Sequence, residues 1–223
     1  MVDMSFDDTV RNRRSVRGFL PEQIPQDLMK RVFEIAQLSP SGTNVQPWQA
    51  YVASGEVRDK LRAEFITRVQ AKIAANPDRP DKGRLGDTWK ERRRGCARVL
   101  FDSMGIEWED KAGRAAASFR NFEMFDAPHV VFIGMNEIFG AQTAADVGMY
   151  AQTLMLAMTA NGLASCAQGT MAHYPDLVRE TFNIPDDVKI LFGISFGFED
   201  VTIPANKAMT IRASLEESVQ FLG

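Results

Sequence analysis

The run Arg13-Arg14-Ser15-Val16-Arg17 and the loop Ser39-Pro40-Ser41-Gly42-Thr43-Asn44-Val45-Gln46-Pro47-Trp48 hold the residues best suited to chemistry in this chain. A guanidinium is a planar fork of donors that matches a phosphate, and a neighbouring serine hydroxyl adds a short donor with little bulk. In an extended segment Arg13, Ser15 and Arg17 point one way, so the run can span a phosphate at one end and a ring at the other. Taken alone, such a run is more often a solvated basic turn ahead of a helix. The loop changes the balance. Pro40 blocks helix continuation, Gly42 permits a positive φ, and main-chain amides there can approach a ligand closely. Asn44, Gln46 and Trp48 add amide groups and a large ring just before the apolar residues 50–53. Together the two motifs suggest a site for a phosphorylated, planar, electron-rich cofactor.

No acid–base or nucleophilic set stands out. His129 opens an apolar run and His173 lies beside Tyr174, positions where a histidine is more often structural or exposed than catalytic. Ser39 and Ser41 have no convincing His–Asp company, and no Gly-x-Ser-x-Gly elbow occurs. Cys96 and Cys166 give neither a metal-ligand spacing nor a disulfide framework, which fits a reducing cytoplasm. No catalytic side chain and no metal site is expected, as where a bound cofactor carries the chemistry.

The elements that must position these residues can be read from periodicity. At 223 residues with 45% hydrophobic side chains, the chain suits one domain over 1–223 with a sizeable core. A net charge of −3 argues against a nucleic-acid or anionic-membrane binder, and Arg92-Arg93-Arg94 reads with Asp87 and Glu91 as a solvated helix face. The first residues carry acid and no long apolar run, and no stretch elsewhere is apolar enough to cross a bilayer. Helices are predicted over 7–12, from Pro25-Gln26-Asp27 onward, 57–75, about 142–161 and 175–182, with strands over 48–52, 128–135, 163–167 and 188–198. The helix after Gln142 is apolar nearly all round, which places it in the core with part of it at a subunit contact. Residues 84–125 form a helical excursion broken near Gly105, whose Trp89, Phe101, Met104 and Trp108 line a pocket mouth, a dimer contact or ordinary helix packing. From Pro204 an extended tail leads to a short amphipathic helix over 215–222, with Leu215, Val219 and Leu222 in need of an apolar partner. No regular β-α-β repeat and no Gly-x-Gly-x-x-Gly after a strand occur. The expected class is therefore α+β, not doubly wound: a central mixed or antiparallel β-sheet flanked by helices, with the excursion over 84–125 and a C-terminal extension over 200–223.

In the order Arg-x-Ser-x-Arg, Ser-Pro-Ser-x-x-Asn-x-Gln-Pro-Trp, Phe125-Asp126-Ala127-Pro128, Ala167-Gln168-Gly169 and Gly193-Ile194-Ser195-Phe196-Gly197, the chain resembles the flavin-dependent nitroreductase family over nearly its whole length. The resemblance implies bound FMN, NADH or NADPH as electron donor, small nitroaromatic or quinone-like acceptors, ping-pong turnover and a homodimer with shared sites. By position in the family's motifs it implies Arg13 and Ser15 at the phosphate, Arg14 through its backbone, and Arg17 at the pyrimidine edge of the ring. Arg212 would be a second phosphate-binding arginine, with Asn206 and Lys207 as accessories. A main-chain N–H at Gln168-Gly169 would meet flavin N5, although the glycine alone is equally a tight strand-to-helix turn. Pro40, Ser41, Gly42 and Asn44 would come from the other subunit, and residues 84–125 would shape the acceptor pocket. The chain departs from the pattern at Thr210, where the family usually has a basic residue. It departs again near Arg120, Asn121 and Glu123, where the family often has an asparagine and a lysine. The same fold also implies, as alternatives, a reductive dehalogenase or a flavin-fragmenting enzyme. A non-catalytic flavin-storage module is the reading from a different class.

Overall fold

The computed structural model describes residues 4–80 and 83–223. Its centre is a four-stranded sheet of β1 (Gln49–Ser54), β2 (His129–Asn136), β3 (Ala164–Gln168) and β4 (Val188–Gly197), in the spatial order β1-β2-β4-β3. Each neighbouring pair is antiparallel. Strand β2 is central because its β-branched and aromatic run is buried on both faces, as an alternating strand could not be.

Among the described residues, seven α-helices surround the sheet: α1 (Phe6–Asn12), α2 (Gln26–Ala36), α3 (Gly55–Gln70), α4 (Asp87–Ser103), α5 (Lys111–Phe119), α6 (Ala141–Ala160) and α7 (Pro175–Phe182). The period of two along β2 separates the two apolar layers. Val131 and Ile133 pack with Val147, Tyr150, Leu154 and Met158 of α6 and with Val32 of α2. Val130 and Phe132 face the other way, onto Leu61 and Phe65 of α3 and Leu177 and Val178 of α7. The excursion holds two helices and breaks near Gly105 as expected, with Gly105 at φ +67 between them and the Asp110 side chain capping α5 by accepting the Gly113 N–H. Among the described residues, no helix is long and apolar enough to cross a membrane.

Two expected boundaries are corrected. Helix α3 ends at Gln70, not near residue 75, because Lys72 adopts φ +56 while the Lys72 and Ile73 amides bond back to the Val69 and Arg68 carbonyls. That left-handed closure stops the helix before the proline does. The amphipathic helix expected over 215–222 is only a 3-10 turn, Leu215–Glu217. A capping box between Ser214 and Glu217 is present, but Leu215, Val219 and Leu222 are 56%, 40% and 86% exposed. A short helix without tertiary packing does not propagate past its first turn.

Candidate functional site

Residues 13–18 run extended from the end of α1 and lie against the outer edge of β3, the edge that β4 leaves free. Ser15 bridges to Ser165, and the Val16 N–H donates to the Ser165 carbonyl at 3.0 Å. Val16 is buried with Phe19, Phe125, Ala127 and Cys166, which fixes the alternation of the segment. The side chain of Arg14 is committed elsewhere: it forms a two-pronged ion pair with Glu199 at 2.5 and 2.6 Å and donates to the Asn206 carbonyl at 2.8 Å. Asn206, buried, accepts the Arg17 N–H at 2.6 Å and donates to the carbonyls of Gly18 and Asp200. Asn206 is thus a staple between the basic segment and the tail, and no side-chain donor remains free for a ligand.

Arg13, Ser15 and Arg17 line a cavity of about 570 Å³ whose far wall is Arg212 and Met209 of the tail. Gln152 of α6 and Cys96 of α4 complete it. Among the described residues Arg13, Arg17 and Arg212 enter no ion pair. Burial, followed by the nearby Arg212 cation, pulls the Arg13 pKa down from its ordinary value. Arg17 donates to the Ser15 carbonyl, and Arg212 to the Thr210 carbonyl and hydroxyl, so the guanidiniums are oriented by neutral oxygens. Like charges crowded into a partly buried cavity without carboxylates form a receptor for a multiply charged anion. The donor set therefore fits a phosphate ester. Thr210, where a basic residue is usual, orients Arg212 through its hydroxyl.

Beneath the segment the Cys166 thiol is pushed up by burial, opposed by Arg17, the Ser15 hydroxyl and Arg13. Two residues further along β3, Gln168 is buried and Gly169 opens a 3-10 turn over residues 169–172 with nothing near the position a Cβ would take. Arg120 is occupied by Glu123 and Asp126, and the Asn121 carbonyl accepts from the Gln168 side chain.

Pro40, Ser41, Gly42 and Asn44 do not line this cavity on their own chain. Their loop docks on α6, where the Gly42 N–H donates to Asp146 at 3.1 Å. The positive φ expected at Gly42 falls instead on Thr43, Asn44 and Gln46, at +49, +60 and +50. The Ser41 hydroxyl accepts the Gln46 N–H and supports that bend. Trp48 is a core residue, stacked on Tyr150 with ring centroids 5.0 Å apart and its N–H donated to Gln37.

Both histidines are structural in this geometry. His129 is buried between the Ile24 N–H and the Ser54 hydroxyl, and His173 packs on Phe122. Sequence reasoning missed Gln152 and Cys96. A lone glutamine in the apolar stretch of α6 was a readable signal for the first; nothing local marks the second.

A model described as the nitroreductase family matches residues 10–198. The chain is similar to nitroreductase NfnB of Mycolicibacterium smegmatis (strain ATCC 700084 / mc(2)155), with 37% identity across 95% of this chain and 90% of the relative. It is also similar to 4-nitrobenzoate reductase of Pseudomonas putida, with 30% identity across 98% of this chain and 96% of the relative. The crystal structure of the FMN- and NADPH-dependent nitroreductase NfnB from Sphigopyxis sp. strain HMH superposes with a TM-score of 0.94 at 36% identity, covering 99% of this chain and 100% of that one. With residues 10–198 matched by the family model and 95% of the chain aligned to a relative at 37% identity, the chain belongs to the nitroreductase family.

Proposed function

We propose that this chain is an FMN-dependent oxidoreductase, a single nitroreductase-like domain, that takes hydride from NADPH or NADH and passes electrons to nitroaromatic or quinone-like acceptors by a ping-pong mechanism. The observation that carries the reading is the set Arg13, Arg17 and Arg212 around one cavity, free of carboxylate partners among the described residues, with Arg17 and Arg212 oriented by neutral oxygens. FMN, when bound, supplies the hydride and electron chemistry.

The chain's own residues bind and orient. Arg13, Arg212 and Ser15 hold the phosphate, and Arg14 contributes through its main chain while its side chain fixes the segment to Glu199. Arg17 reaches the pyrimidine edge, where a cation favours the negative charge of the reduced ring. The Gly169 N–H meets N5, and the open space around Gly169 supports that close approach. Residues 84–125 bound the acceptor pocket.

The protein acts as a homodimer. The docking of Pro40, Ser41, Gly42 and Asn44 away from their own cavity supports a shared site in which each loop serves the partner's flavin. Exposed Met149 on α6 and Ile211, Phe221 and Leu222 in the tail supply apolar surface for that contact. Free Cys96 and Cys166 suit a reducing cytoplasm.

The test is the visible spectrum of the purified chain under anaerobic conditions. A yellow protein that bleaches with NADPH or NADH and regains colour with 4-nitrobenzoate supports the reading. Bound FMN with no turnover favours storage, slow reduction by either nucleotide favours a dehalogenase-like enzyme, and failure to bind FMN removes the cofactor assignment.

A further inference from the structure

Gln168 ends β3 with 3% of its surface exposed, and its amide is used at both ends. Its Oε1 accepts the Ser195 hydroxyl at 2.5 Å, and its Nε2 donates to the Asn121 main-chain carbonyl at 2.9 Å, with Asn121 Oδ1 at 3.3 Å. Ser195 sits in β4 opposite Cys166, so its hydroxyl reaches diagonally along one face of the sheet to Gln168. Asn121 stands at the foot of the excursion, where the acceptor is held rigidly. Met124, Phe125 and Asp126 take φ of +55, +53 and +62, a costly run for residues with side chains. Arg62 and Arg120 clamp that run through Asp126, Glu123 and the Glu123 carbonyl.

The turn that follows is seated equally firmly. Gly193 pairs with Gln168 across the sheet, and a Cβ added there would lie 2.7 Å from Met171 Cβ. The main chain at Gly169 is therefore gripped on both sides and faces open space between the grips.

We infer that the chain Ser195–Gln168–Asn121 is a positioning device: it fixes the plane of the Gln168–Gly169 peptide, aims the Gly169 N–H at the redox end of the flavin, and ties that aim to the excursion bounding the acceptor pocket. The inference rests on the reading above in which Gly169 meets N5. The Gln168 amide has one orientation, because turning it over sets its oxygen against the Asn121 main-chain carbonyl, which can only accept. An N–H that bonds the reduced ring differently from the oxidised ring shifts the relative affinity for the two forms, whereas a scaffold residue changes both alike.

The experiment compares binding of oxidised and reduced FMN to the full-length chain carrying Gln168→Leu, Ser195→Ala, Asn121→Ala or Gly169→Pro. The Gly169 amide resonance is followed alongside in 15N-glycine-labelled, FMN-loaded protein. Gln168→Leu and Ser195→Ala are expected to change the ratio of the two affinities about tenfold, equivalent to ~30 mV for a two-electron couple, and to move the Gly169 resonance. Asn121→Ala keeps the main-chain acceptor and loses only the longer Oδ1 contact, so it is expected to shift the ratio less than Ser195→Ala does. An unchanged ratio and resonance in Ser195→Ala, the smaller change and the one to use if Gln168→Leu does not fold, overturns the positioning role. If Gly169→Pro alone alters the ratio, the flavin reading stands and the positioning role falls. If Gly169→Pro, which has no N–H, leaves the ratio unchanged, the reading itself fails and takes the inference with it.

Discussion

The Arg212 guanidinium lies close enough to Arg13 to disfavour its positive charge, and both line the same cavity. That repulsion is present in the cofactor-free protein and disappears when a dianion sits between them. Arg212→Ala is therefore expected to leave the melting temperature of the FMN-free protein unchanged or slightly higher. The same change, or Arg13→Ala, should weaken FMN binding roughly ten- to a hundredfold, the size of a lost charge-assisted pair. Arg17→Ala should instead lower the flavin potential and slow reduction. Fluorimetric FMN titration and thermal melts with and without FMN check these effects, and an unchanged affinity in Arg13→Ala contradicts the phosphate assignment.

If sites are shared between subunits, Arg13→Ala and Asn44→Ala damage different chains of each site. Mixing the two inactive variants and letting subunits exchange should give some heterodimers with one intact site, detected as recovered nitroaromatic reduction. No recovery after exchange has been demonstrated by mass spectrometry would remove the loop from the partner's site.

The Arg14–Glu199 pair is expected to stabilise the fold more than it aids binding. Both side chains are only about a quarter exposed, at 27% and 22%, so Glu199→Gln leaves a poorly solvated guanidinium. A loss of about 1–3 kcal/mol follows, read from urea midpoints. FMN affinity should fall less than tenfold, since Asn206 still holds Arg17. A larger effect on affinity than on stability reverses this assignment.

His129 gives the protein an acid limit. Its Nε2 accepts the Ile24 N–H at 3.0 Å, which leaves the ring proton on Nδ1 facing Ser54. Burial, then the Arg58 cation, push its pKa down from 6.5 to about 4. Because the folded state binds this proton more weakly than the unfolded state, the contribution is full above pH 6.5 and is lost as pH falls toward 4. The loss is about 3 kcal/mol by the time pH reaches 4. His129→Gln keeps an acceptor for Ile24 and has nothing to titrate, so its urea midpoint should vary less over that range than the parent's. Parallel pH profiles for the two proteins identify some other group as the one titrating.

Much of the fold was legible because local pattern and tertiary environment agree. Helix α7 begins and ends where Pro175 and Phe182 predict, with Asn183 left-handed after it. Strand β2 was readable because a β-branched run has only a buried solution, and helix α6 because its apolar residues recur at helical spacing, although Met149 on its outer side stays exposed. The end of α3 was not, since Lys72 carries no sign that it will adopt a positive φ. The tail showed the reverse failure: a capping box announces a helix, but no apolar surface of its own chain receives Leu215 and Leu222. In the site, the arginines were visible by type and spacing. Cys96 was not, because its place in the wall depends on how α4 lies against the Pro204–Lys207 turn. Arg14 shows the limit of motif reading, as its neighbours in sequence do not reveal that Glu199 claims its side chain.

Asn206 and its neighbours impose an order on synthesis. The partners that hold residues 14–20 in place are Ser165, Phe198, Glu199, Asp200 and Asn206, all synthesised well after that segment. The basic segment is made first and meets the last of these partners only once residue 206 has been added. A cofactor pocket walled by Arg13 and Arg212 cannot close until both have been synthesised, so loading waits for residue 212. A ribosome stalled before Asn206 would display a sheet and its helices with no place to hold a flavin.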